Sequence, residues 1–184
     1  RNVFQETELK AFCDSVFKEI NRRKIPEITI DLRNNTGGSS KCVERLISYF
    51  PHPDYSLYSK SLLKVSSYSK AYNKGRHPEI YRQICNLPDG ELFVMEDTPV
   101  KSNLKEAELY HGKTIILVNN KTYSGASTLA HTMEKLSIAR VEGETGCPDV
   151  YFGNYLHFTL PNSKIDYYIS CLLYTSDAAD DLTR

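Results

Sequence analysis

A layered α/β domain is predicted by three features of this chain. Two apolar runs of strand length, Ile28 to Leu32 and Thr114 to Val118, carry the β-branched residues that suit a pleated surface. Each is followed by a short turn, Asn34 to Gly38 after the first and Asn119 to Tyr123 after the second, and each turn leads into apolar residues at helical spacing. Further strand-like runs close the sequence, and strands alternating with helices favour an α/β arrangement. With 184 residues, 40% of them apolar and 25% charged, the chain suits one domain, since domains commonly take about 100 to 200 residues.

The elements follow in order. Leu9, Phe12, Val16, Phe17 and Ile20 recur at helical spacing, and Asn21-Arg22-Arg23-Lys24 sets cations in the last turn, where the helix dipole favours them. Pro26 punctuates, and Ile28-Thr29-Ile30-Asp31-Leu32 reads as a buried strand. After the Asn34 to Gly38 turn, Ser39 or Ser40 can cap a second helix whose inner face is Val43, Leu46, Ile47 and Phe50, stopped by Pro51 and Pro53. Residues 51–112 are weakly periodic and rich in tyrosine, with a strand at Ser61 to Ser67 and a short helix at Pro78 to Cys85; they are expected to be an insertion or substrate-facing segment. Thr114 to Val118 is a buried strand, and Ala126, Leu129, Ala130, Met133 and Leu136 trace a third helix. Ile138 to Val141, a turn at Gly143 to Gly146, Tyr155 to Leu160 and Ile165 to Ile169 complete a strand-rich end.

Lys+Arg and Asp+Glu balance at 23 each, so no basic track for nucleic-acid phosphates or anionic membrane surfaces is present. Tyrosines interleaved with Lys60, Lys64, Lys70, Lys74 and Arg76 resemble a stacking platform for single strands, but the neutral charge and the lack of a known module weigh against a nucleic-acid partner. No apolar run approaches the roughly 20 residues needed to span a bilayer. Cys13, Cys42, Cys85, Cys147 and Cys171 are widely spaced without a CxxC pair, so they read as packing or surface thiols, and no metal site is expected. His52, His77, His111 and His157 show no ligand spacing either.

The chain begins at Arg1 and is expected to lack its natural N-terminus. Residues 171–181, Cys-Leu-Leu-Tyr-Thr-Ser-Asp-Ala-Ala-Asp-Asp, resemble the translation of a sequencing-library adapter. Residues 171–184 are therefore read as a non-native tail and set aside, leaving 1–170 as the domain, truncated at both ends.

Four blocks then carry a family resemblance. Ile28 to Gly38 resembles the strand and Leu-Arg-x-Asn-x-Gly-Gly turn of the tail-specific, or C-terminal processing, serine peptidases of family S41. Lys113 to Ala130 is similar to their nucleophile strand and turn, Ala139 to Glu144 to their Gly-Glu turn, and Phe158 to Ser163 to their Leu-Pro-Asn strand. The resemblance implies a ClpP/crotonase-like layered core, no metal or organic cofactor, and a peptide or protein substrate bound as an extended strand. It implies a bacterial cell-envelope location, and leaves the oligomeric state open.

By position, Ser124 corresponds to the family's nucleophile, the N–H of Gly125 to one oxyanion donor, and Gly37 or Gly38 to the other. The chemistry agrees, because a tetrahedral acyl intermediate needs donors fixed where its charge develops. Taken alone Ser124 reads as a helix cap, and Gly37-Gly38 as an ordinary tight turn; their combination favours an acyl-transfer site. Asp31, Arg33 and Asn34 are expected to brace the turn, the first two as a buried ion pair.

The family's usual base is a lysine downstream of the serine in a Gly-Lys motif. Here that region reads Gly146-Cys147-Pro148-Asp149-Val150, and no lysine lies between Lys135 and Lys164. Branches resembling tricorn use an upstream histidine and a distant downstream glutamate, which this chain is expected to lack. His131 stands seven residues after Ser124, about 10 Å along a helix and out of proton-transfer reach. Lys121 is close in sequence but lies before the turn, and is kept as an alternative base on general dyad logic alone. Two alternatives remain: a ligand- or peptide-binding protein on the same scaffold, as among the retinoid-binding relatives of the family, and a crotonase-type acyl-CoA enzyme.

Overall fold

Residues up to Leu57 and from Pro99 to Val150 make one unit, and Tyr58–Thr98 with the residues from Tyr151 onward make a second, in a computed structural model that describes residues 6–58, 60–144 and 152–175. The Gly146 to Val150 region lies outside the described residues, as do Cys147 and residues 176–184.

The first unit is built on three parallel strands in the order β1 (Glu27–Asp31), β4 (Lys113–Val118), β5 (Arg140–Gly143). Parallel neighbours require a crossover rather than a hairpin, and α5 (Gly125–Lys135) provides it between β4 and β5. It buries Ala126, Leu129, Ala130 and Met133. α1 (Glu6–Arg23) and α2 (Ser40–Ile47) add to the same core, in which Phe17 stacks on Tyr49 at 4.7 Å and meets Phe50 edge-on at 5.4 Å. Ser39 is the N-cap of α2, its hydroxyl accepting the N–H of Lys41.

Two expectations need correction here. Phe12 is 56% exposed, and Cys13 takes the inner position on α1 instead. β1 alternates between exposed and half-buried residues rather than being buried throughout. Among the described residues β4 is its one partner strand, so it lies at the edge of the sheet.

The second unit is an antiparallel sheet in the order β3 (Leu92–Glu96), β2 (Lys60–Lys64), β7 (Asp166–Thr175), β6 (Phe152–Thr159). α3 (Ser67–Arg76) and α4 (Pro78–Ile84) accompany it, around a core of Leu63, Val65, Ile84, Cys171 and Leu172. Much of the 51–112 segment is therefore regular structure. α3 was invisible to hydrophobic periodicity because its buried residues are the polar Ser69 and Asn73. It is announced instead by a capping box between Ser66 and Ser69. Five residues of the stretch set aside as a tail, 171–175, continue β7, with Cys171 and Leu172 each 6% exposed.

Candidate active site

The site is made by two turns leaving the carboxyl ends of β1 and β4, neighbours in the parallel sheet. Leu32 prolongs their pairing, donating its N–H to the Leu117 carbonyl at 2.8 Å. In the first turn the Asp31 carboxylate accepts from the Arg33 N–H at 3.0 Å, from Nε at 2.9 Å and from Nη2 at 2.7 Å. The Arg33 guanidinium, helped by that backbone N–H, holds the Asp31 carboxyl down at about 2. The pair braces the turn as expected, but it is exposed rather than buried, at 48% for Asp31 and 53% for Arg33. Asn34 follows with φ +61°, a conformation asparagine tolerates better than most residues. The Asn35 side-chain oxygen then accepts the N–H of Gly37 at 2.9 Å.

In the second turn Thr122 returns its N–H to the Asn119 carbonyl at 2.9 Å, and its hydroxyl oxygen accepts the Asn119 N–H at 3.0 Å. Ser124 comes next, at φ +53° and ψ −130°, immediately before α5. This is a sparsely populated conformation for a residue with a Cβ. Ser124 occupies the N-cap position, yet its side chain makes no capping hydrogen bond. The simple helix-cap reading of this serine therefore fails. The side chain is half-buried, and among the described residues its hydroxyl has no hydrogen-bond partner.

Four hydrogen bonds lace the turns together. The hydroxyl of Thr122, fully buried, donates to the Leu32 carbonyl at 2.9 Å. The Asn34 N–H donates to Asn119 Oδ1 at 3.0 Å, and Asn119 Nδ2 donates back to Asn34 Oδ1 at 3.3 Å. The Tyr123 N–H donates to the Asn35 carbonyl at 2.9 Å. Beyond these bonds the glycines close the gap. A Cβ on Gly37, where φ is +91°, would lie 2.6 Å from the Gly125 nitrogen and 2.7 Å from the Ser124 Cβ. One on Gly125 would lie 2.9 Å from the carbonyl oxygen and 3.1 Å from the nitrogen of Gly38.

Ser124, Gly125, Gly37 and Gly38, chosen from sequence, are thus brought together. They are not equivalent as donors. The Gly37 N–H is engaged by Asn35, whereas those of Gly38 and Gly125 have no hydrogen-bond partner among the described residues. Lys121 is exposed on the turn, with its backbone N–H bonded to Asn119 Oδ1 at 3.1 Å, and His131 is an exposed residue of α5. An open cleft of about 370 Å³ lies at the strand ends, lined by Asp31, Arg33, Asn34, Val118, Asn119, Gly143 and Glu144, the usual place for ligands on a parallel sheet. Among the described residues no cluster of His, Cys, Asp and Glu could hold a metal ion, and no helix is long and apolar enough to cross a membrane.

Sequence reading missed the staples. Asn119, Asn35 and Thr122 act on the opposite turn through bonds that sequence separation hides, although Asn119 three residues before a threonine is itself a turn signal.

A mixed α/β scaffold with a left-handed serine opening a helix, packed against a glycine turn, is the class that this geometry defines. The chain belongs to peptidase family S41, which its sequence matches over residues 3–163. No curated protein matches it in sequence. Among solved structures, it is similar to the photosystem II D1 C-terminal processing protease, with a TM-score of 0.56 and 14% identity over 92% of this chain and 35% of that one. It is similar also to mature CPAF complexed with lactacystin, with a TM-score of 0.63 and 15% identity over 92% of this chain and 39% of that one. At such identities the likeness concerns the fold, and the chain spans well under half the length of either protein.

Proposed function

We propose that this chain carries the nucleophile and oxyanion-hole portion of a serine peptidase that hydrolyses peptide bonds through an acyl-enzyme on Ser124. One observation carries the reading: Ser124 is held at φ +53° with a hydroxyl that caps nothing, against the Gly37-Gly38 turn. In this mechanism Ser124 Oγ attacks the scissile carbonyl while a base takes its proton. The carbonyl oxygen becomes an oxyanion, which in this reading accepts hydrogen bonds from the N–H groups of Gly125 and Gly38, both without a partner among the described residues. Collapse expels the amine, and water then releases the acyl group from the serine. The family supports a peptide substrate, which in this reading lies extended, main chain to main chain. The base is assigned to neither Lys121, exposed on the turn, nor His131, two helical turns along α5.

The test is covalent trapping of the full-length protein with a fluorophosphonate, beside peptide hydrolysis. Labelling that disappears in Ser124→Ala, with at least a roughly 10³-fold loss of hydrolysis, is expected for a nucleophile. Labelling that survives the substitution, or a wild-type protein that neither labels nor hydrolyses, overturns the reading; the latter result would favour a binding protein on this scaffold.

A further inference from the structure

The Ser124 turn and the Gly38 turn come from positions 85 residues apart in sequence at their Asn34–Asn119 junction, and one side chain spans that junction in both directions. Asn119 Oδ1 accepts the Asn34 N–H at 3.0 Å and the Lys121 N–H at 3.1 Å, while its Nδ2 donates to Asn34 Oδ1 at 3.3 Å. Asn119 therefore shapes its own turn and grips the other. A carboxamide suits both tasks, because it offers an acceptor and a donor side by side on one planar group. Asn34 complements it by holding φ +61°, which turns its N–H and side-chain oxygen to the same partner.

We infer that Asn119 is a positioning residue of the acyl-transfer site, fixing through Asn34 the separation between Ser124 and the Gly38 N–H. The inference rests on the proposed serine-peptidase function. Oxyanion donors act only when placed where the charge develops, and a displacement of about 1 Å can cost on the order of 10²-fold in rate. Gly37 and Gly38 lie outside both β1 and α2, so the cross-turn bonds act together with the close packing of Gly37 to set their position relative to Ser124. Substrate contacts made elsewhere would be untouched, so the effect falls on kcat rather than on KM.

Asn119→Asp isolates the grip. It retains an oxygen for the Asn34 and Lys121 N–H groups, but loses the donor and sets a carboxylate against Asn34 Oδ1. Asn34→Gly removes that opposing oxygen while allowing the positive φ and keeping the N–H. The experiment measures fluorophosphonate labelling rate, kcat and KM for peptide hydrolysis, and the urea midpoint, in the full-length protein and in both single and double variants.

Asn119→Asp is expected to lower kcat and the labelling rate by about 10²-fold with KM within roughly threefold. In the Asn34→Gly background Asn119→Asp should change kcat by no more than roughly threefold, since the bond and the repulsion are both already gone. Asn119→Asp with kcat within threefold of wild type overturns the inference while leaving Ser124 as nucleophile, and so does an Asn119→Asp loss that is equally large in the Asn34→Gly background. Should Asn119→Asp fail to fold, Asn34→Gly decides alone: an unchanged labelling rate overturns the inference, and a drop with an unchanged urea midpoint supports it. A wild-type protein that neither labels nor hydrolyses overturns the peptidase reading and this inference together.

Discussion

Gly37 approaches Ser124 so closely that a Cβ on the glycine would come within 2.7 Å of the serine's own Cβ. The two neighbouring glycines therefore differ sharply in what they tolerate. Gly37 sits at φ +91° with backbone atoms of Tyr123 and Gly125 at 2.6 Å from the added carbon, whereas a Cβ on Gly38 meets nothing within 4 Å. Combining left-handed strain of about 1–2 kcal/mol with overpacking of about 1–3 kcal/mol, Gly37→Ala should destabilise the protein by roughly 2–5 kcal/mol. Gly38→Ala should change stability by under about 1 kcal/mol. Urea unfolding of the two variants checks this, and equal losses would contradict the packing described.

Two buried threonines should respond oppositely to valine. Thr122 donates to the Leu32 carbonyl and accepts the Asn119 N–H, so Thr122→Val strands both groups and should cost roughly 1–3 kcal/mol. Thr114, 2% exposed in β4, has a buried hydroxyl with no hydrogen-bond partner among the described residues. Removing an unsatisfied hydroxyl without changing shape should leave Thr114→Val neutral or stabilised by up to about 1 kcal/mol. Thermal or chemical denaturation of each variant gives the sign directly.

The Asp31 carboxyl titrates at about 2 in the folded protein, below its ordinary 3.8, first because of the Arg33 guanidinium and then because of the Arg33 N–H. A depressed carboxylate stabilises the fold fully above its ordinary value and loses that contribution as pH falls towards the folded one. The bracing of the turn should therefore be intact at neutral pH and weaken between about pH 4 and pH 2. Carbonyl NMR should find the Asp31 midpoint near 2, moving up towards 3.8 in Arg33→Met. Because the pair is exposed, molar salt should move it the same way. A midpoint indifferent to Arg33 would show that the pair does not persist in solution.

What could be read from sequence was what periodicity and turn chemistry encode locally. The strand at Thr114 to Val118, the helix through Leu129 and Met133, and the serine and glycine turns were all legible, because each is written in adjacent residues. α3 was not, since its inward positions are Ser69 and Asn73. Nor was the pairing of β2 with β7, in which Lys60 faces Thr175, a contact that no local pattern announces. At the site the same division holds. The residues proposed to meet a substrate are adjacent in two short motifs, but nothing local announces the Asn119, Asn35 and Thr122 bonds that bring them together. The distinction between Gly37 and Gly38 as donors depends on one side-chain oxygen, that of Asn35.

Ser124 stores strain that a smaller residue would release. At φ +53° and ψ −130° its backbone lies where glycine is at ease and where a Cβ crowds the chain. In an ordinary position glycine is less stable than alanine by about 0.5–1 kcal/mol, because it has more backbone freedom to lose on folding. Here the order should reverse. Ser124→Ala keeps the Cβ and with it the strain, while Ser124→Gly relieves a penalty of about 1–3 kcal/mol. Ser124→Gly is therefore expected to be the more stable of the two by about 1 kcal/mol, with both equally unreactive towards a fluorophosphonate. Both are measured by urea unfolding of the same preparations used for labelling. A higher midpoint for the alanine variant would mean that the backbone at this position is relaxed in solution, and that the packing against Gly37 does not force the serine outward.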